Sequence, residues 1–120
     1  MKRDMELVRK ILFKIEKEYI DTALSYDNIK IEGYDMKTIG YHCDLMYNVN
    51  LLSYYNPRVY DNELGYFFVG KLTWEGHEYL DKIKNENVWN KTKSTIKEKG
   101  LELTMEIIPK VAGKIISEMI

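Results

Sequence analysis

Apolar residues recur at helical spacing near the start of the chain, where Met5, Val8, Ile11, Leu12, Ile15 and Tyr19 form one stripe. Asp4 precedes them and can accept hydrogen bonds from the free amides of a first turn, so a helix is expected from there to about Glu18. Lys10, Lys14, Glu16 and Lys17 fall off the stripe and form a solvated face. Over residues 21–36 the period is lost. Asp27-Asn28 and Gly33 are turn formers, while Ile29, Ile31 and Tyr34 alternate with polar residues, which predicts a short strand at 29–32. Helical spacing returns from Met36 to about Asn48 behind Asp35 as cap, with Ile39, Cys43 and Met46 turned inward and Tyr41, Asp44 and Asn48 turned outward. Asn50 follows where a helix often ends in a left-handed residue.

Strand-like composition begins at Leu51-Leu52 and continues through Tyr54, Tyr55, Val59 and Tyr60, interrupted by Asn56-Pro57. Asp61-Asn62-Glu63-Leu64-Gly65 reads as a turn, and Tyr66 to Leu72 pairs back to complete a hairpin. Thr73 is placed to cap a helix whose inward face is Gly76, Tyr79, Leu80 and Ile83, with Glu75 at its positive end. Gly76 lowers helix propensity by roughly 1 kcal/mol against Ala, which points to a close approach by another element. Asn85-Glu86-Asn87 breaks that helix and caps the next, with Val88, Trp89, Thr92 and Ile96 inward and Gly100 as its stop. A last helix begins between Thr104 and Ile108, since Pro109 is poorly tolerated beyond a first turn. Its apolar stripe is Ile108, Val111, Ala112, Ile115, Ile116 and Met119.

Composition narrows the classes. The 120 residues are enough for one core, and with 45% hydrophobic residues and two prolines the chain is expected to be ordered and helix-rich. No stretch approaches the ~20 apolar residues of a membrane span, so a cytoplasmic protein with no membrane partner is expected. Cys43, the single cysteine, has no intrachain partner. The net charge of -1 hides an uneven spread. Residues 19–81 carry four basic and ten acidic groups, whereas residues 82–99 carry six basic and two acidic ones. The acidic middle weighs against the phosphate contacts on which duplex binding depends.

The predicted order, helix, short strand, helix, two-stranded hairpin, helix, is that of a winged helix. The stretch from Ile39 to Leu52 resembles the recognition helix and first wing strand of arsenic-type repressors. Leu72-Thr73-Trp74-Glu75-Gly76-His77-Glu78-Tyr79-Leu80 resembles the segment that follows the wing in multiple-antibiotic-resistance-type repressors. Residues 1 to about 100 are similar to a domain-of-unknown-function family of phage, prophage and bacterial proteins, on the strength of Met1 to Met5, Tyr41-His42, Leu72 to His77 and Val88-Trp89-Asn90-Lys91. The resemblance implies an α+β, mostly helical fold with a winged-helix core over residues 1–84. It implies that residues 85–120 form a C-terminal helical extension packed on the same domain, and it brings no established activity.

Candidate chemistry is sparse. His42 and Cys43 are adjacent on a helix, and His77 is remote, so neither a metal nor another cofactor is expected. Glu75, Glu78 and Asp81 read as a solvated helix face, no glycine-rich phosphate loop occurs, and the chain is not expected to be an enzyme. The ten tyrosines stand out, six of them (Tyr41, Tyr47, Tyr54, Tyr55, Tyr60 and Tyr66) falling on the recognition-like helix and hairpin. They serve either packing or an exposed aromatic surface. Two functions follow. A DNA-binding regulator would use Lys37, Thr38, Tyr41, His42, Asn48 and Arg58 at the duplex, with Lys91 and Lys93 on the phosphate backbone. A non-enzymatic interaction module would keep the same scaffold for protein contacts. It would bind a partner or a second copy through Ile108, Val111, Ile115, Ile116 and Met119, unless that stripe packs on the chain's own core.

Overall fold

The computed structural model describes residues 1–120 and is α+β, with five α-helices and one three-stranded antiparallel sheet. The chain forms two compact units, Met1–His77 and Glu78–Ile120.

In the first unit, α1 (Met5–Glu18) starts at Asp4, whose Oδ1 accepts from the amides of Glu6 and Leu7 at 3.0 and 3.2 Å. Its buried side includes Leu7, Ile11, Leu12 and Ile15. Residues 21–36 depart from the expected strand at 29–32. The strand there is β1 (Leu24–Ser25), and Ile29 instead closes a 3₁₀ turn over Tyr26–Ile29. Ser25 and Asn28 hold that turn by a reciprocal pair of side-chain to backbone bonds. This local competition favours a turn over an extended run.

Helix α2 (Met36–Asn48) is capped by Asp35, which accepts from the Thr38 amide at 2.8 Å, and buries Ile39, Gly40, His42, Cys43 and Met46. Bonds from the Thr38 hydroxyl and amide hold the Asp35 carboxyl below its usual range. The helix ends as expected at Asn50, whose φ is 63°, and the Leu51 amide reaches back to the Met46 carbonyl at 2.8 Å.

The hairpin is β2 (Tyr55–Tyr60) and β3 (Glu63–Val69), and the sheet order is β1-β3-β2. Its turn is tighter than the five residues expected. Asp61 and Asn62 alone form it, both at positive φ (50° and 63°), the geometry of a two-residue turn matched to strand twist. Glu63, Leu64 and Gly65 therefore lie in β3. Pro57 does not interrupt β2 because β2 is an edge strand, where a missing donor is tolerated. A register shift between Arg58 and Val59 leaves Gly65 as an extra residue, and the Tyr60 ring lies against it.

Leu52 bridges Leu72, after which Thr73 starts α3 (Trp74–Ile83). The Thr73 Oγ1 accepts from the Gly76 amide at 2.9 Å and donates to the Asn50 carbonyl at 2.6 Å, so one hydroxyl caps α3 and ties it to the end of α2. A Cβ at Gly76 would overlap the Leu51 carbonyl oxygen, which is the close approach the sequence implied.

In the second unit, α4 (Glu86–Glu98) is capped by Asn85, which accepts from the Val88 amide at 3.0 Å, and buries Val88, Trp89, Thr92 and Ile96. The buried Thr92 hydroxyl donates to the Val88 carbonyl at 2.7 Å. Gly100, at φ 71°, ends the segment. Helix α5 (Ile107–Met119) packs against α4, and its first turn is anchored by Thr104 Oγ1, which accepts from the Ile107 amide at 3.2 Å. No helix is long and apolar enough to cross a membrane.

Candidate interaction face

Helix α2 and the hairpin come together at Gly40. A Cβ there would overlap the Leu64 side chain and press on the Phe67 ring, so the glycine lets the hairpin sit close to the helix backbone. Above this contact lies a groove of about 520 Å³. One wall is Lys37, Tyr41 and Asp44, which at spacings of four and three residues share one helix face. The other is Tyr55, Pro57, Val59, Asn62, Glu63 and Leu64 from the hairpin, and Met1 also lines it.

The electrostatics of this groove depend on one ion pair. Lys37 Nζ donates to Glu63 Oε1 at 3.1 Å, an exposed ion pair that joins the helix wall to the hairpin wall. Asp44 has no such partner, and it is half-buried. Burial first, with smaller contributions that include the Asp44 charge, pushes the Tyr55 hydroxyl up to about 12. Across residues 35–66 two basic side chains, Lys37 and Arg58, face four acidic ones, Asp35, Asp44, Asp61 and Glu63.

The outer face of the hairpin carries more aromatic surface. Tyr60 and Tyr66 sit with ring centroids 6.0 Å apart and their hydroxyls 3.4 Å apart, Phe68 meets Tyr66 edge-on at 5.7 Å, and Tyr26 lies 6.5 Å from Tyr66. Val59 and Tyr60 are 60% and 59% exposed.

Residues 2–102 match the family described as "Hypothetical protein (DUF2513)". The chain belongs to the DUF2513 family. An uncharacterised protein of Haemophilus influenzae (strain KW20 / Rd) is 39% identical over 120 residues, covering 100% of this chain and 99% of that relative. No solved structure matches.

In this DUF2513 chain the residues expected at a duplex are not gathered in one place. Lys37 and Tyr41 line the groove, whereas Asn48 and Arg58 are exposed outside it. Thr38 is half-buried and is engaged with Asp35. His42 is the clearest departure, because it is fully buried and both ring nitrogens are taken. Its Nε2 accepts from the Asp4 amide at 2.8 Å, and its Nδ1 lies 2.8 Å from the Thr38 carbonyl, so the proton sits on Nδ1. His42 thus ties α2 to the start of α1, where Asp4 also accepts from the Tyr34 hydroxyl at 2.9 Å. That bond comes first among the causes that raise the Tyr34 hydroxyl above its usual value.

On α4, Lys91 is exposed and Lys93 lies over the Trp89 ring at 5.3 Å. On α5, Ile108 and Ile115 are buried inside the chain, Val111 and Ile116 are half-buried and Met119 is exposed, so the apolar stripe is largely used in packing. No three His, Cys, Asp or Glu side chains converge as a metal would require, and His77 instead lies 3.8 Å from Glu16. Sequence reasoning missed Glu63 and Leu64, which it assigned to the turn. The signal available was the pair Asp61-Asn62, whose preference for a two-residue turn returns Glu63 to the strand.

Proposed function

We propose that the first unit is a winged helix and that it acts as a non-enzymatic interaction module, with α2 and the hairpin binding a protein partner. The scaffold reading is supported by the order of elements and by a hairpin whose inner strand, β3, also pairs with β1. The 3₁₀ turn at Tyr26–Ile29 stands where the bracing helix of a helix-turn-helix would lie. The observation that carries the functional reading is the state of Lys37. The lysine of the recognition-like helix pairs with Glu63 at 3.1 Å, and Asp44 adds a carboxylate without an ion-pair partner to the same groove wall. Such a face offers few free cations to phosphates, while its tyrosines and valine give contact area at low entropic cost.

The competing reading is a DNA-binding regulator with α2 in the major groove and α4 lysines on the backbone. The exposure of Asn48, Arg58 and Lys91 is what favours it. The two are separated by placing the photocrosslinker benzoylphenylalanine at Val59, and at Ile20 as a control, in the full chain inside cells. Both sites are exposed, at 60% and 87%. Discrete nuclease-resistant protein adducts from Val59 but not from Ile20 are expected. Nuclease-sensitive adducts, or none above the control, would overturn the interaction reading.

A further inference from the structure

The groove between α2 and the hairpin has a chemistry more specific than a general contact face. Tyr41 and Asp44 stand one turn apart on α2, and Tyr55 faces them from β2, so two aromatic rings and one carboxylate line the same space. The other charged side chains of the groove, Lys37 and Glu63, satisfy each other at 3.1 Å. Asp44 is left as a half-buried carboxylate with no ion-pair partner, free to take a cation brought by another molecule. Leu64, Pro57 and Val59 supply apolar surface along the same walls.

We propose that this groove receives an arginine side chain of the partner protein, with its guanidinium paired to Asp44 and lying against the rings of Tyr41 and Tyr55. The inference rests on the interaction reading above and names the chemistry of the partner. Arginine fits better than lysine for three reasons. Its planar fork matches a carboxylate, its flat faces stack on tyrosine rings, and it is shed from water at lower cost than an ammonium. An apolar stem along Leu64 and Val59 suits the three methylenes that carry it. A phosphate placed there would meet the Asp44 carboxylate and compete with Glu63 for Lys37.

The test uses the full-length protein with its tyrosine rings labelled for NMR, titrated with acetyl-arginine methylamide and its uncharged isostere, acetyl-citrulline methylamide. Saturable shifts are expected at Tyr41 and Tyr55 but not at the exposed Tyr47, with the arginine compound binding roughly fivefold or more tighter than citrulline. The isosteric Asp44→Asn, checked for an unchanged fold by circular dichroism, should remove that preference, and Tyr41→Leu should weaken arginine binding while leaving Asp44 in place. Equal binding of the two compounds, an unaltered preference in Asp44→Asn, or shifts as large at Tyr47 as at Tyr41 would overturn the proposal. Tighter binding of acetyl-lysine methylamide would overturn the choice of arginine. If these titrations fail while Val59 still crosslinks a protein, the arginine site falls and the interaction reading stands. If the Val59 crosslink also fails, both fall.

Discussion

His42 is the residue whose role changed most between pattern and structure. On a helix facing the expected groove it reads as a base contact, yet its two nitrogens join the Thr38 carbonyl to the Asp4 amide and the ring is wholly buried. Replacing it by leucine should therefore destabilise the fold rather than alter binding. A loss of about 1–3 kcal/mol is expected from the unpaired Asp4 amide, read as a lower urea midpoint, while the exposed His77→Gln should stay within about 0.5 kcal/mol of the parent. That His42 packs is consistent with its place at the edge of the helix, but its Asp4 partner was not legible from the sequence, because it lies 38 residues away. The cap residues Asp4, Asp35, Thr73 and Asn85 were legible, since each acts on amides two or three residues downstream. Thr73 makes a second bond to Asn50, so Thr73→Val should cost about 1–2 kcal/mol in chemical unfolding and Thr73→Ser should recover most of it.

At the scale of elements, helices were read well and the sheet less so, for a physical reason. Helical spacing and caps are local, whereas β1 exists only because Leu24 and Ser25 find Val69 and Phe68 far along the chain. A two-residue strand leaves no period of its own, and the apolar alternation at Ile29, Ile31 and Tyr34 mimics one. The hairpin shows the same limit. Its composition was clear, but its turn was placed too broadly because Glu63-Leu64-Gly65 also suits a loop. The Asp61-Asn62 pair at positive φ gives a sharp expectation. Asn62→Gly should stabilise the protein by a few tenths to about 1 kcal/mol, seen as a raised thermal midpoint, because glycine adopts that backbone without strain. Gly76→Ala should do the opposite despite the better helix propensity of alanine. The added methyl meets the Leu51 carbonyl, which is backbone and cannot swing aside, so a loss of about 1–3 kcal/mol or more is expected.

Over the whole molecule, the groove is the feature least visible in the sequence, because its walls come from residues 37–44 and 55–64 and are joined by the close approach at Gly40 and the Lys37–Glu63 pair. The acidic bias of the middle of the chain was visible, and it is what the Lys37–Glu63 pair and the free Asp44 express in three dimensions. The tyrosines set a limit at high pH. Burial pushes Tyr55 up to about 12 and raises Tyr79, from an ordinary value of 10.0 for each. Burial also raises the Cys43 thiol from its ordinary 9.0, so the unfolded chain gives up all these protons first, and folding stability should be steady below about pH 8 and fall as pH rises from there toward 12. Urea midpoints across that range should show the fall, and the double replacement of Tyr55 and Tyr79 by phenylalanine should lessen it above pH 10.

The proposal that the α2 and hairpin face binds protein rather than duplex is tested most directly by fluorescence anisotropy with a labelled mixed-sequence duplex at 50 and 200 mM salt. An acidic face with its one helix lysine paired predicts association no tighter than roughly 10⁻⁴ M and nearly flat between the two salt concentrations. Submicromolar affinity at low salt, falling about 10³-fold or more at high salt, would mean that several phosphates are being neutralised and would contradict the account.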